Sequence, residues 1–100
     1  MLTKKNIITT LKAQSDILKV HFHVQKMGLF GSFSTGSQTA DSDIDFIVTL
    51  DSTTHDIFST KKALRHYLQQ LFGRHVDIAD YGYLKPYAKA SILNEVEDIV

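Results

Sequence analysis

Residues 27 to 50 read Met27-Gly28-Leu29-Phe30-Gly31-Ser32-Phe33-Ser34-Thr35-Gly36-Ser37-Gln38-Thr39-Ala40-Asp41-Ser42-Asp43-Ile44-Asp45-Phe46-Ile47-Val48-Thr49-Leu50, and the order of residue types within them decides the fold. Met27 to Phe30 is a short apolar run that ends in Gly31, and Phe46 to Leu50 is a β-rich run continuing from Asp43-Ile44-Asp45. The local reading is strand, Gly-Ser turn, short helix, strand. Gly31 lets the backbone approach a ligand closely, while the amides and hydroxyl of Ser32 and its neighbours, opening a helix, face outward as donors for phosphate oxygens. In the second strand side chains alternate with period two, so Asp43 and Asp45 project to one face and Ile44, Phe46 and Val48 to the other. One face is set for a metal ion, the other for the core.

A Gly-Ser pair followed ten residues later by Asp-x-Asp resembles the signature of the minimal nucleotidyltransferases, the smallest members of the DNA polymerase beta-like superfamily. The resemblance covers nearly the whole chain. Leu29 to Phe33 is similar to the family's first strand and turn, Asp41 to Val48 to its second strand, and Val76-Asp77-Ile78 to the strand that brings a third carboxylate. Leu84-Lys85-Pro86 and Ile92-Leu93-Asn94-Glu95 resemble the tail. Within the family the chain resembles the antitoxins of two-gene HEPN–MNT modules. The resemblance implies an AMP transfer from ATP to a hydroxyl, a tyrosine, of a HEPN-family ribonuclease toxin, as in a type VII-like toxin–antitoxin system, and a hetero-oligomer with that partner. It implies Asp43, Asp45 and Asp77 as catalytic and metal-binding residues, Gly31 and Ser32 as nucleotide-binding residues, and Mg2+ as the cofactor, with two ions. Many relatives carry an Arg just before the second glycine of the turn, where this chain has Thr35.

Bulk composition bounds the remaining choices. One hundred residues, 43% of them hydrophobic, can bury one core and no second one, so residues 1–100 read as a single domain. Formal charge is zero with Lys and Arg scattered, which lacks the basic footprint of a nucleic-acid binder. Cysteine is absent, which excludes disulfides, thiolate zinc sites and a Cys nucleophile together. The amino terminus has charge but no apolar signal core, and no uninterrupted apolar stretch approaches a membrane span, so cytoplasm is the expectation.

Periodicity supplies the rest of the architecture. Thr3 can cap a first helix with the stripe Ile8, Leu11, Leu18 and Phe22, after which alternation takes over and a strand runs through Phe30. Beyond the second strand, Thr53 and Asp56 have capping-box spacing, Ile57, Leu64, Leu68, Leu71 and Phe72 form a helical stripe, and Gly73 supplies the stop. His75 to Ala79 reads as a third strand, and Ala88, Ile92, Val96 and Ile99 predict a last amphipathic helix after Pro86. The expected fold is α/β (α+β), in the order α-β-α-β-α-β-α, with a small mixed sheet and helices on its apolar face.

If the third strand lies beside the second, Asp77 reaches the face that carries Asp43 and Asp45. Magnesium prefers six oxygens and keeps several waters, so catalytic sites commonly add substrate phosphates to a few carboxylates. Asp77 is also the candidate general base. Asp41, Asp43 and Asp45 do not open an EF-hand, since the loop's sixth-position glycine is replaced by Phe46 and its closing glutamate by Ser52. Gly31 to Ser37 lacks the lysine of a P-loop. The five histidines are assigned no chemistry, and Tyr81, Tyr83 and Tyr87 are candidates for stacking on a base or anchoring a partner. Two further classes stay open beside the adenylyltransferase: a non-catalytic antitoxin that inhibits by binding, and a small-molecule nucleotidyltransferase, which the absence of room for a substrate domain disfavours.

Overall fold

The computed structural model describes residues 2–93 and 97–99. Its elements are α1 (Lys4–Ala13), α2 (Ser15–His21), β1 (Val24–Phe30), α3 (Ser32–Thr35), β2 (Ile44–Leu50), α4 (Ile57–Phe72), β3 (Val76–Asp80), a 3-10 turn at Tyr81–Tyr83, α5 (Pro86–Leu93) and β4 (Glu97–Asp98). The strands form one mixed sheet in the order β3-β2-β1-β4. β1 is antiparallel to β2 and to β4, and β2 is parallel to β3, with α4 as the crossover.

Period-two alternation on β2 divides the molecule. Ile44, Phe46 and Val48 are buried, and they join Met27 and Leu29 of β1, Val76 of β3, Ile7 and Leu11 of α1, Leu18 of α2, Phe33 of α3 and Leu64 and Leu68 of α4 in one core. Burial of a single such side chain contributes about 1.5–3 kcal/mol. Helices α1 to α4 therefore stack on one face, as the apolar stripes require.

Local chemistry sets the helix ends. Thr3 caps α1 in a reciprocal box with Asn6: the Asn6 N–H donates to Thr3 Oγ1 at 3.2 Å and the Thr3 N–H to Asn6 Oδ1 at 3.3 Å. α4 starts at Asp56, whose carboxylate accepts the Ser59 N–H at 3.0 Å, and ends at Gly73 in the left-handed conformation, φ 66°. Thr53 does not form the expected box with Asp56. Its N–H donates instead to Asp51 Oδ1 at 3.0 Å within the turn that follows β2.

Two expected helices are revised. The first breaks at Gln14 (φ −101°, ψ 11°) into α1 and α2, and the corner is tied to α4 by a hydrogen bond from the Tyr67 hydroxyl to Gln14 Oε1 at 2.8 Å. The stripe survives the break, because Leu11 and Leu18 are both fully buried. The last helix is described over Pro86–Leu93, so it holds Ala88 and Ile92, while Ile99 lies outside it. Glu97 and Asp98 instead add to β1 opposite Leu29 and Gly28, the Ile99 N–H donates to Met27 O at 2.9 Å, and Ile99 enters the core. Val96, with Asn94 and Glu95 of the tail, lies outside the described residues.

Candidate active site

Three strand ends meet at one edge of the sheet: the C-terminal end of β1 and the N-terminal ends of β2 and β3. Phe30 faces Asp45 across the β1/β2 ladder, and Asp45 faces Asp77 across β2/β3. Paired residues share a face, so Asp45 and Asp77 stand side by side, and alternation carries Asp43 and His75 onto that face as well.

The turn after β1 closes on these carboxylates. Gly31 has φ 76° and ψ −155°, a conformation open to glycine, and a methyl group there would collide with the carboxylate of Asp45. Backbone angle and close approach both require the missing side chain. The Ser34 and Thr35 N–H groups donate to Gly31 O at 3.1 and 3.2 Å, forming the first turn of α3. Thr35 lies within 2.9 Å of Ser37 Oγ through its hydroxyl, which also donates to Gly31 O and Ser32 O at 3.4 Å, so its side chain serves the turn's own hydrogen bonding.

The loop ahead of Asp43 is held from two sides. Ser42 Oγ accepts the Thr39 N–H at 2.8 Å, and the Arg74 guanidinium donates to Ser42 O at 2.9 Å. The same guanidinium lies 5.2 Å from the centroid of the Phe33 ring, which is fully buried. Arg74 thus joins the α4–β3 connection, the α3 turn and the aspartate loop; a planar, always charged side chain that can stack and donate at once suits that junction.

The carboxylates form a compact polar group. His75 Nδ1 is 3.5 Å from Asp43 Oδ2 and 3.9 Å from Asp77 Oδ1, and one donor atom from each of the three residues lies within 4.8 Å of the others. Their side chains are 58%, 49% and 56% exposed, respectively, so the group faces solvent and is open to a ligand. Asp45 is half-buried beside Gly31. Hard carboxylate oxygens at this spacing fit a divalent cation.

The edge thus gathers all five residues singled out in the sequence: Gly31, Ser32, Asp43, Asp45 and Asp77. Two of its members escape that reading. His75 was legible in principle, since it stands two residues before Asp77 on the same strand phase. Arg74 had no signal. The other histidines stay outside the site: His23 takes φ 57° at the entry to β1 and lies 3.8 Å from Asp51, while His21, His55 and His66 are exposed. Asp51 and Asp56 are held below the usual carboxylate range, Asp51 chiefly by the Thr53 hydroxyl and Asp56 chiefly by the Ser59 N–H. Both serve turns beyond the far end of β2. Among the described residues no helix is long and apolar enough to cross a membrane.

With this geometry in place, residues 11–99 match the nucleotidyltransferase domain, and the chain belongs to that family. It is 35% identical over 98 residues to the protein adenylyltransferase MntA of Thermococcus cleftensis, covering 96% of this chain and 95% of that one. A Methanocaldococcus jannaschii chain provisionally named a protein adenylyltransferase is 38% identical over 93 residues, covering 92% and 93%. Among solved structures, a toxin–antitoxin crystal structure with AMP-PNP has the same fold, with a TM-score of 0.71 at 23% identity, over 89% of this chain and 72% of that one. The small mixed sheet with its helices is the minimal nucleotidyltransferase fold.

Proposed function

We propose that this chain is a Mg-dependent protein adenylyltransferase that acts as the antitoxin of a type VII-like module. It transfers AMP from ATP to a tyrosine hydroxyl of a HEPN-family ribonuclease toxin in the cytoplasm and so neutralises it. The observation that carries the reading is the meeting of the Gly31-Ser32 turn with Asp43, Asp45 and Asp77 at one sheet edge, in a chain related over nearly its full length to a protein adenylyltransferase. The fold shared with a toxin–antitoxin structure holding an ATP analogue supports the choice of partner and nucleotide.

In this scheme Ser32 and the amides that open α3 take the triphosphate, with Gly31 admitting it close to the backbone. Asp43, Asp45 and Asp77 hold the cations. Magnesium held there would supply charge neutralisation for the triphosphate and a lower pKa for the acceptor hydroxyl. Asp77 takes the hydroxyl proton as that oxygen bonds to the α-phosphorus, and the bond to the β-phosphate breaks with release of pyrophosphate. The chain contributes position and charge and needs no nucleophile of its own. Tyr83 and Tyr87, 73% and 74% exposed beside Pro86, offer rigid amphipathic area for holding the partner.

The test is intact-mass analysis of a HEPN-family ribonuclease from the same organism after incubation with the chain, ATP and magnesium. Addition of whole adenylyl groups, abolished by chelator, is the expected result. A partner of unchanged mass that is nonetheless inhibited would replace modification by occlusion as the mechanism.

A further inference from the structure

We propose that His75 is a metal ligand, and that with Asp43 and Asp77 it makes a mixed imidazole–carboxylate site preferring a first-row transition ion, of the cobalt or zinc kind, over magnesium. The inference rests on the reading of Asp43 and Asp77 as cation-holding residues and goes beyond it in naming a nitrogen donor and a second class of ion.

The spacing is the first ground. Two donors on one ion, each about 2.1 Å from it, stand between about 3.0 Å apart at a right angle and about 4.2 Å apart when opposed. His75 Nδ1 lies 3.5 Å from Asp43 Oδ2 and 3.9 Å from Asp77 Oδ1, both inside that interval. Backbone register is the second ground. His75 stands two residues before Asp77, whose partner across the parallel ladder is Asp45, and so shares the carboxylate face through the period-two pleat and not by a chance of one flexible side chain. The neighbouring Arg74, fixed on Ser42 O and over Phe33, anchors the backbone from which His75 projects.

Donor chemistry gives the consequence. Carboxylate and water suit magnesium, whereas imidazole adds affinity for cobalt, nickel and zinc. The chain would then favour the transition ion at the position that Asp43, His75 and Asp77 share.

Titration calorimetry of the nucleotide-free protein with Co2+ and with Mg2+, at one fixed neutral pH, tests the proposal. Wild type should bind Co2+ more tightly than Mg2+. In His75→Ala the Co2+ affinity should fall about tenfold or more while the Mg2+ affinity changes less than about twofold. NMR with Co2+ should shift the His75 ring signals at the lowest ion concentrations, ahead of those of His21, His23, His55 and His66. Asp43→Ala should weaken both ions. If His75→Ala leaves the ratio of the two affinities unchanged, or strengthens both ions by removing an imidazole that merely bridges the carboxylates, the proposal is overturned while the carboxylate reading stands. If wild type binds neither ion without nucleotide, this inference falls, and AMP transfer with magnesium and ATP still judges the proposed function separately.

Discussion

The two faces of β2 carry opposite demands within one run of seven residues. On the helix side Ile44, Phe46 and Val48 are buried to the last few per cent, touch every layer of the molecule and tolerate no loss of volume. On the other side Asp43 and Asp45, with Asp77 and His75 on the neighbouring strand, are half-buried or exposed and gather three carboxylates where a cation can reach them. Period-two geometry lets one short strand do both. Stability and chemistry should therefore separate by residue parity at its amino-terminal end, from Asp43 to Phe46, whereas further along Ile47 is buried in the phase of the aspartates.

The hardest attempt to break that separation is the double variant Asp43→Ala with Asp45→Ala. AMP transfer to the partner, followed by intact mass, should fall at least about 10³-fold. The melting temperature should hold or rise, because removal relieves like-charge repulsion and opens no core cavity. Unfolding of the double variant would show that the carboxylates are structural. The converse substitution, Phe46→Ala, should cost about 3–5 kcal/mol in chemical denaturation. If the variant is kept well below its melting temperature, ATP-dependent metal binding should persist. A loss below about 1 kcal/mol would mean that the core side is not packed as described.

Arg74→Ala probes the seam between the two faces, because its guanidinium touches the core ring of Phe33 and the loop carbonyl ahead of Asp43 at once. Transfer should drop about tenfold to 10²-fold, mostly in kcat, as the carboxylate loop shifts. Arg74→Lys should recover only part of it, since lysine donates but does not stack. Equal effects on stability and none on kcat would reduce Arg74 to a packing residue.

Much of this was legible from the chain alone, and what was missed has a common cause. The strand–turn–strand from Met27 to Leu50 could be read because each signal is local: an apolar run, a glycine in a turn, and a β-rich run that continues from Asp43-Ile44-Asp45. Leu64, Leu68 and Gly73 gave α4 and its end for the same reason. The break at Gln14 escaped because Leu11 and Leu18 keep helical spacing across it, and a stripe reports which side is buried without reporting a bend; the tie to Tyr67 that holds the corner spans 53 residues. Ile99 fits the helical period after Ala88 and Ile92, yet the free edge of β1 claimed its segment, an event that depends on partners some 70 positions apart. Arg74 and His75 gained their roles from the parallel docking of β3 on β2. In each case long-range pairing overrode or completed a pattern that was sound locally.

A smaller effect lies away from the site, at the start of α4. Asp56 caps α4 with its carboxyl held below the usual range, so the contribution is present above the ordinary carboxylate pKa, near about pH 4, and is lost as pH falls through the depressed value. Thermal melts between about pH 5 and about pH 3 should show wild type losing stability more steeply than Asp56→Asn, because asparagine caps without titrating. Parallel curves would remove Asp56 from the acid response. Catalysis at neutral pH should not differ between the two.

The central claim is that the polar face acts by transferring AMP and not by occupying a partner. Asp77→Asn tests it most directly: the substitution preserves shape and removes the charge assigned to proton acceptance, on a side chain that is 56% exposed and so unimportant for the core. The measurement is growth of cells co-expressing the HEPN toxin with this variant, alongside a pull-down that establishes the complex. The account predicts that the variant binds the toxin, leaves its mass unchanged and fails to restore growth. Full rescue by a variant that binds but has been shown not to transfer AMP would contradict it.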